Sequence, residues 1–147
     1  MPHSYLVHAH SRSSPGPIFD ALLRAATWPV WSPVDAADIE GGGDPAAPQQ
    51  VGDIRIFRTG RVRSRERISG LVPDRRFAYE NLGGPFRFYD GVISLSPSSG
   101  GGTDIAWTAT FEPKIPFTGG FWEWFLGRHM QRMATGLAAY AEHRIRQ

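Results

Sequence analysis

Cysteine is absent from this chain of 147 residues. That excludes a disulfide framework, a thiolate metal site and a cysteine nucleophile. Lysine is nearly absent too: Lys114 is the single one, and the formal net charge of +2 rests on arginine. So small a surplus does not by itself imply a polyanionic partner, and no nucleic acid is expected. No stretch approaches the roughly 20 apolar residues that cross a bilayer, so no transmembrane segment is expected. The opening MPHSYLVHAHSRSS is broken by His and Ser and lacks the apolar core of a secretory signal, which makes a cytoplasmic location the expectation. No Gly-x-Ser-x-Gly elbow and no glycine-rich loop opening a helix occurs, so neither a serine hydrolase nor a phosphate cradle is indicated.

Aromatic residues are plentiful, with five Trp and nine Phe, so much of the buried surface should be aromatic. The length suits one domain over residues 1–147.

Tyr5, Val7 and Ala9 alternate with Leu6, His8 and His10, the period-two pattern of a strand with one buried face. Ser13 or Ser14 is placed to cap a short helix, with Pro15 and Pro17 in its first turn and Ile18, Phe19, Leu22 and Leu23 as its apolar stripe. TWPVWSPVD leaves room for at most one very short second helix before the next strand. The run Gly41–Gly52, dense in Gly and Pro, reads as an exposed loop. Strand-like segments follow at Asp53–Arg58, Arg61–Leu71, Arg76–Leu82, Arg87–Ser96 and Thr103–Glu112, separated by hairpin connections, so an antiparallel meander is expected. From Gly119 to Gln147, Trp122, Leu126, Met130, Met133, Leu137 and Tyr140 recur at helical spacing and predict one long amphipathic helix lying on the sheet. Gly136 should be there to permit a close approach. The architecture is thus α+β: a curved seven-stranded antiparallel sheet wrapped around a long C-terminal helix, with two short helices after the first strand.

Hairpin centres fix which residues oppose one another, and a slip of one residue would flip a strand's faces. Centres at Thr59, Val72/Pro73, Gly84 and Gly100 put Ile54, Ile56, Val62, Ser64, Glu66 and Ile68 on the concave face. They add Phe77, Tyr79 and Asn81, then Arg87, Tyr89, Ile93 and Leu95, and finally Ile105, Trp107, Ala109 and Phe111. From this face we select Ser64, Glu66, Phe77, Tyr79, Asn81, Arg87, Tyr89, Ile93, Trp107, Ala109 and Phe111 as cavity-lining candidates, with Phe125, Met130 and Met133 from the helix. The opposite face carries Arg61, Arg63, Arg65 and Arg67, read as a solvated outer face.

Order and spacing of IFDALL, WPVWSPV, RSRERI, PDRRFAYE, GGGTDIAWTATFEPK and GLAAYAEHR resemble the helix-grip fold of the START-related SRPBCC superfamily, closest to its bacterial polyketide cyclase/dehydratase branch. The resemblance spans nearly the whole chain and implies a ligand held between sheet and helix. The expected function is binding of a small hydrophobic or aromatic ligand, lipid- or polyketide-like. One alternative is an acid–base cyclase or dehydratase, with Glu66 and Tyr79 as catalytic candidates. Another is a protein-interaction module of co-chaperone or regulatory type. Glu66 and Arg87 are expected to pair inside the cavity. No cofactor is expected, and no metal, because His8 and His10 lack a third ligand and His129 and His143 lie too far apart. Phe117, Phe121, Trp122 and Trp124 make the start of the long helix greasy enough for a lid, a dimer contact or a membrane-touching entrance. Either a monomer or a homodimer is compatible with these features.

Overall fold

The structure is a computed structural model that describes residues 2–145, without the side chains of residues 144 and 145. Its order is β1 (His3–Ser11), α1 (Pro15–Leu23), a 3-10 turn (Ala25–Thr27), α2 (Trp28–Trp31), β2 (Ala36–Ile39), β3 (Ile54–Thr59), β4 (Val62–Val72), β5 (Arg76–Leu82), β6 (Phe86–Pro97), β7 (Thr103–Pro113) and α3 (Gly119–Ile145). The seven strands form one antiparallel sheet in the order β1-β7-β6-β5-β4-β3-β2. This is the helix-grip arrangement that the order of elements implies. The long helix was expected to reach Gln147, whose last two residues lie outside those described. Ser14 occupies the cap position of α1, but its side chain makes no capping hydrogen bond.

The concave face holds most of the core. Tyr5, Val7, Phe77, Tyr79, Ile93, Ile105, Trp107, Ala109 and Phe111 are all buried, as the alternation of β1 and β5–β7 predicts. Burying each of the larger ones contributes roughly 1.5–3 kcal/mol. His8 and His10 face outward and are exposed. The C-terminal half of α3 meets this core through small residues: Ala134, Ala138 and Ala141 are buried beside Leu137. Gly136 sits where a Cβ would overlap the carbonyl oxygen of Trp31, so the close approach is to α2. Ser11 Oγ donates to Ala138 O at 2.9 Å and ties β1 to the same stretch.

Two local features change which of the expected cavity residues point inward. In β3–β4, Thr59 pairs with Val62, so the turn is the two-residue Gly60-Arg61, with Gly60 at φ 59°, not a hairpin centred on Thr59. Two-residue hairpins favour positive φ because it matches the strand twist. The register therefore moves by an odd number of residues, and Arg55 and Phe57, not Ile54 and Ile56, share the inner face with Ser64 and Glu66. In β6 the pairing with β7 shifts between Phe86 and Phe88. That bulge turns Phe86 inward, where it is buried, and leaves Arg87 exposed. The expected Glu66–Arg87 pair does not form.

The outer face behaves as a solvated surface. Arg65 forks onto Glu40, with bonds of 2.9 and 3.0 Å, and Arg67 bonds Glu80. Arg61 and Arg63 are exposed at the hairpin end.

Candidate functional site

A cavity of about 480 Å³ lies between the sheet and the N-terminal half of α3. Strands β3–β7 supply Phe57, Ser64, Glu66, Tyr79, Asn81, Phe86, Tyr89 and Trp107. The helix side supplies Trp28 from α2 and Trp122, Phe125, Leu126, His129, Met130 and Met133 from α3. Thr59, Val62, Arg63, Leu82, Gly84 and Pro85 border it at the hairpin ends.

The wall is mainly aromatic because successive strands each contribute an inward ring. Trp28 packs on Phe57 with centroids 4.7 Å apart and meets Trp107 edge-on at 6.0 Å. Phe86 meets Trp122 at 4.9 Å in a T-shaped contact. Trp122 thus faces inward while Trp124, two residues on, is exposed, as helical geometry requires.

Two phenols, Tyr79 and Tyr89, form the floor, with a third, Tyr5, buried against Tyr89. Trp107 Nε1 donates to Tyr79 OH at 2.9 Å, and the hydroxyls of Tyr5 and Tyr89 are hydrogen-bonded to each other. Burial pushes all three phenols above their ordinary range. They are therefore neutral hydrogen-bonding groups near pH 7 and not bases. Gly91 makes this floor possible, since a Cβ there would overlap the Tyr79 ring.

Glu66 is the acid of the cavity. It is half-buried, because protein encloses it on the sheet side while its surface faces the cavity. Burial raises its pKa from 4.5 to about 7, and the Arg55 guanidinium partly opposes that rise. Asn81, its cross-strand neighbour, donates from Nδ2 to Ser64 Oγ at 2.9 Å, so a short polar row crosses an apolar wall.

Arg55 lies behind that wall, fully buried. Its Nη1 donates to Leu22 O at 2.6 Å, at the end of α1, where helix carbonyls favour a cation. Its Nε and Nη2 have no hydrogen-bond partner. Instead the guanidinium lies about 5 Å from the ring centroids of Trp28, Phe57 and Phe77, contacts that offset part of the cost of a buried cation. Burial lowers its pKa from 12.5 to about 10, which leaves it charged. At the other end of the cavity His129 stacks on Phe125, 5.9 Å away. Burial, followed by the Arg132 charge, holds its imidazole below the ordinary value.

Of the residues selected from the sequence, Ser64, Glu66, Tyr79, Asn81, Tyr89, Trp107, Phe125, Met130 and Met133 are brought together around this space. Phe77, Ile93, Ala109 and Phe111 are buried in the packed core instead, where α1 covers β5 and β6 and α3 packs on β1 and β7. Arg87 lies outside, on the bulge. Sequence reasoning missed Arg55 and Phe57, which a two-residue turn at Gly60-Arg61 would have revealed. It also missed Phe86, whose bulge leaves no local signal, and His129, considered only as a metal ligand.

The family profile for polyketide cyclase/dehydrase and lipid transport proteins matches residues 7–142. This chain belongs to that family. No curated protein matches it significantly. Among solved structures, a di-domain ARO/CYC protein, StfQ from the steffimycin biosynthetic pathway, aligns over 100% of this chain and 53% of its own, with TM-score 0.79 and 15% identity. A START superfamily protein from Mycobacterium smegmatis aligns over 97% and 99%, with TM-score 0.78 and 14% identity. Ara h 8.0201 aligns over 96% and 98%, with TM-score 0.75 and 15% identity. At such identities the likeness establishes the shared fold alone. No helix among its described residues is long and apolar enough to cross a membrane.

Proposed function

We propose that this family member is a single ligand-binding domain that holds a small hydrophobic or aromatic molecule, lipid- or polyketide-like, between sheet and α3. The observation that carries this reading is the cavity of about 480 Å³ with an aromatic wall and one polar row of Ser64, Glu66 and Asn81. That volume falls in the ordinary range for small-molecule sites, roughly 300–1,000 Å³. A mostly apolar surface with a few placed polar groups is what orients a flat ligand carrying a carbonyl or hydroxyl at one end. The test is titration with an apolar fluorescent probe: saturable binding near one to one is expected, and Ser64→Phe, which fills the cavity from the sheet side, abolishes it. Folded protein without a saturable site would refute the reading.

Glu66 favours a second reading, an acid–base cyclase or dehydratase. A carboxyl with a pKa near 7 is populated in both protonation states at neutral pH, the property a general acid or base needs. Tyr79, neutral and on the same wall, would orient the substrate by hydrogen bonding. Incubation with aromatic β-hydroxy ketones, followed by mass spectrometry for loss of water, separates the two readings. Turnover that Glu66→Gln abolishes while probe binding persists supports catalysis, and binding without turnover of any of them supports a carrier.

A further inference from the structure

Outside the cavity, the β7–α3 loop and the first turns of α3 expose an unusual set of side chains. Phe117 is fully exposed at 106% and Ile115 at 68%, with Phe121 at 57%, Trp124 at 60% and Phe125 at 42%. Isolated apolar residues on a surface are ordinary, but five large ones within eleven positions mark an interaction surface. Phe117 also has φ 67°, a left-handed conformation that a bulky residue rarely adopts. Phe121, Trp124 and Phe125 stand on one face of α3, at spacings of three and four, opposite the Leu126, Met130 and Met133 face that turns inward.

The same helix face continues with Arg128 and Arg132, both exposed. Arg128 lies over the Trp124 ring at 5.4 Å, and neither arginine forms an ion pair among the described residues. Lys114 is exposed at the start of the loop, and its backbone N–H bonds Pro85 O at 2.8 Å, which sets it beside the β5–β6 hairpin that borders the cavity. The acid within these turns, Glu123, is engaged by His3 Nδ1 at 2.7 Å. The surface is therefore a protruding apolar ridge with cations along its edge.

We propose that this ridge docks on the surface of a lipid bilayer containing anionic lipid. Phe117, Phe121 and Trp124 would enter the headgroup–acyl boundary, and Lys114, Arg128 and Arg132 would meet lipid phosphates. Apolar insertion combined with a few basic residues is the combination that holds peripheral proteins on anionic membranes. A second copy of the chain fits less well, because a self-complementary contact needs an acid for Arg128 and Arg132, and Glu123 in these turns is already engaged by His3. A rigid acidic protein would need pockets matching the protruding Phe117 and Trp124 rings, whereas a bilayer interface accommodates them without preformed shape. Phe125 belongs both to this surface and to the cavity wall, so docking sets the cavity beside the membrane. The docking stands whether or not the cavity takes a lipid.

Flotation of the full chain with extruded vesicles tests this, comparing phosphatidylcholine alone with mixtures containing phosphatidylglycerol. Binding that requires phosphatidylglycerol and weakens with added salt is expected. Phe117→Ser combined with Trp124→Ser should lower the partition coefficient at least tenfold, and Arg128→Gln or Arg132→Gln about fivefold each. All four positions are exposed, and unchanged circular dichroism and cavity-probe binding serve as fold controls. No flotation of the intact chain with phosphatidylglycerol vesicles would overturn the proposal, as would flotation indifferent to both sets of substitutions. Self-association in sedimentation velocity that Phe117→Ser abolishes would assign the ridge to a second copy instead.

Discussion

Arg55 and Glu66 face one another across β3 and β4, yet the guanidinium spends its one hydrogen bond on Leu22 O and none on the carboxylate. Each group is left to feel the other through space. The result is a cavity acid whose affinity for a proton is raised by burial and held in check by a cation placed behind the wall.

The pH dependence of stability follows from that relationship. Glu66 titrates near 7 in the folded chain against an ordinary 4.5, so between those values the native state holds a proton that the unfolded chain has released. Stability is therefore greatest below pH 4.5 as far as this group is concerned, and it declines as pH rises through 7. The loss is at most about 3 kcal/mol, less to the extent that water in the cavity solvates the anion. Urea denaturation from pH 5 to 8 should show the decline, and Glu66→Gln should remove it.

Replacing Arg55 with Met takes away the one cation among the described residues that opposes the rise at Glu66, so the Glu66 pKa should move further up. Carbon-13 NMR titration of the glutamate side chains would read this directly. In a double-mutant cycle with Glu66→Gln, a coupling of roughly 0.5–3 kcal/mol is expected, and additivity would dissolve the pair. Arg87→Met, on the exposed bulge, should leave both stability and the titration unchanged.

Two glycines of α3 should respond in opposite directions to alanine. At Gly127 nothing lies within 4 Å of the added Cβ, so Gly127→Ala should stabilise the helix by about 1 kcal/mol. Gly136→Ala carries the same propensity gain but drives a methyl into the carbonyl of Trp31, and a net loss of about 1–2 kcal/mol is expected. Thermal denaturation of the two variants settles the contrast.

Gly91→Ala should displace the Tyr79 ring, break the Trp107–Tyr79 hydrogen bond and cost about 1–3 kcal/mol. Tryptophan fluorescence should report the change even where the variant stays folded.

Removing an arginine from the outer face should matter little. Arg65→Ala breaks a fork to Glu40 between two side chains that are each 41% exposed, and a change of at most about 1 kcal/mol is expected in chemical denaturation.

The strands, their antiparallel order, the inward faces of β1, β5, β7 and β6 beyond its bulge, and the helix with its inner stripe were all legible in the sequence alone. All of these rest on periodicity and turn composition, which are local, and once one hairpin is registered the alternation carries the facing along each strand. Tertiary structure decided three other things. The odd step at Gly60-Arg61 exchanged Ile54 and Ile56 for Arg55 and Phe57, since a single residue of turn length reverses a whole strand. The bulge at Arg87 removed that residue from the cavity and substituted Phe86. The extent of the cavity, with Phe77, Ile93, Ala109 and Phe111 in solid core and Trp28 and His129 on the open wall, depends on the distance at which α1, α2 and α3 settle over the sheet. That distance is the joint outcome of contacts such as Gly136 on Trp31, between residues far apart in the chain, and no local pattern encodes it.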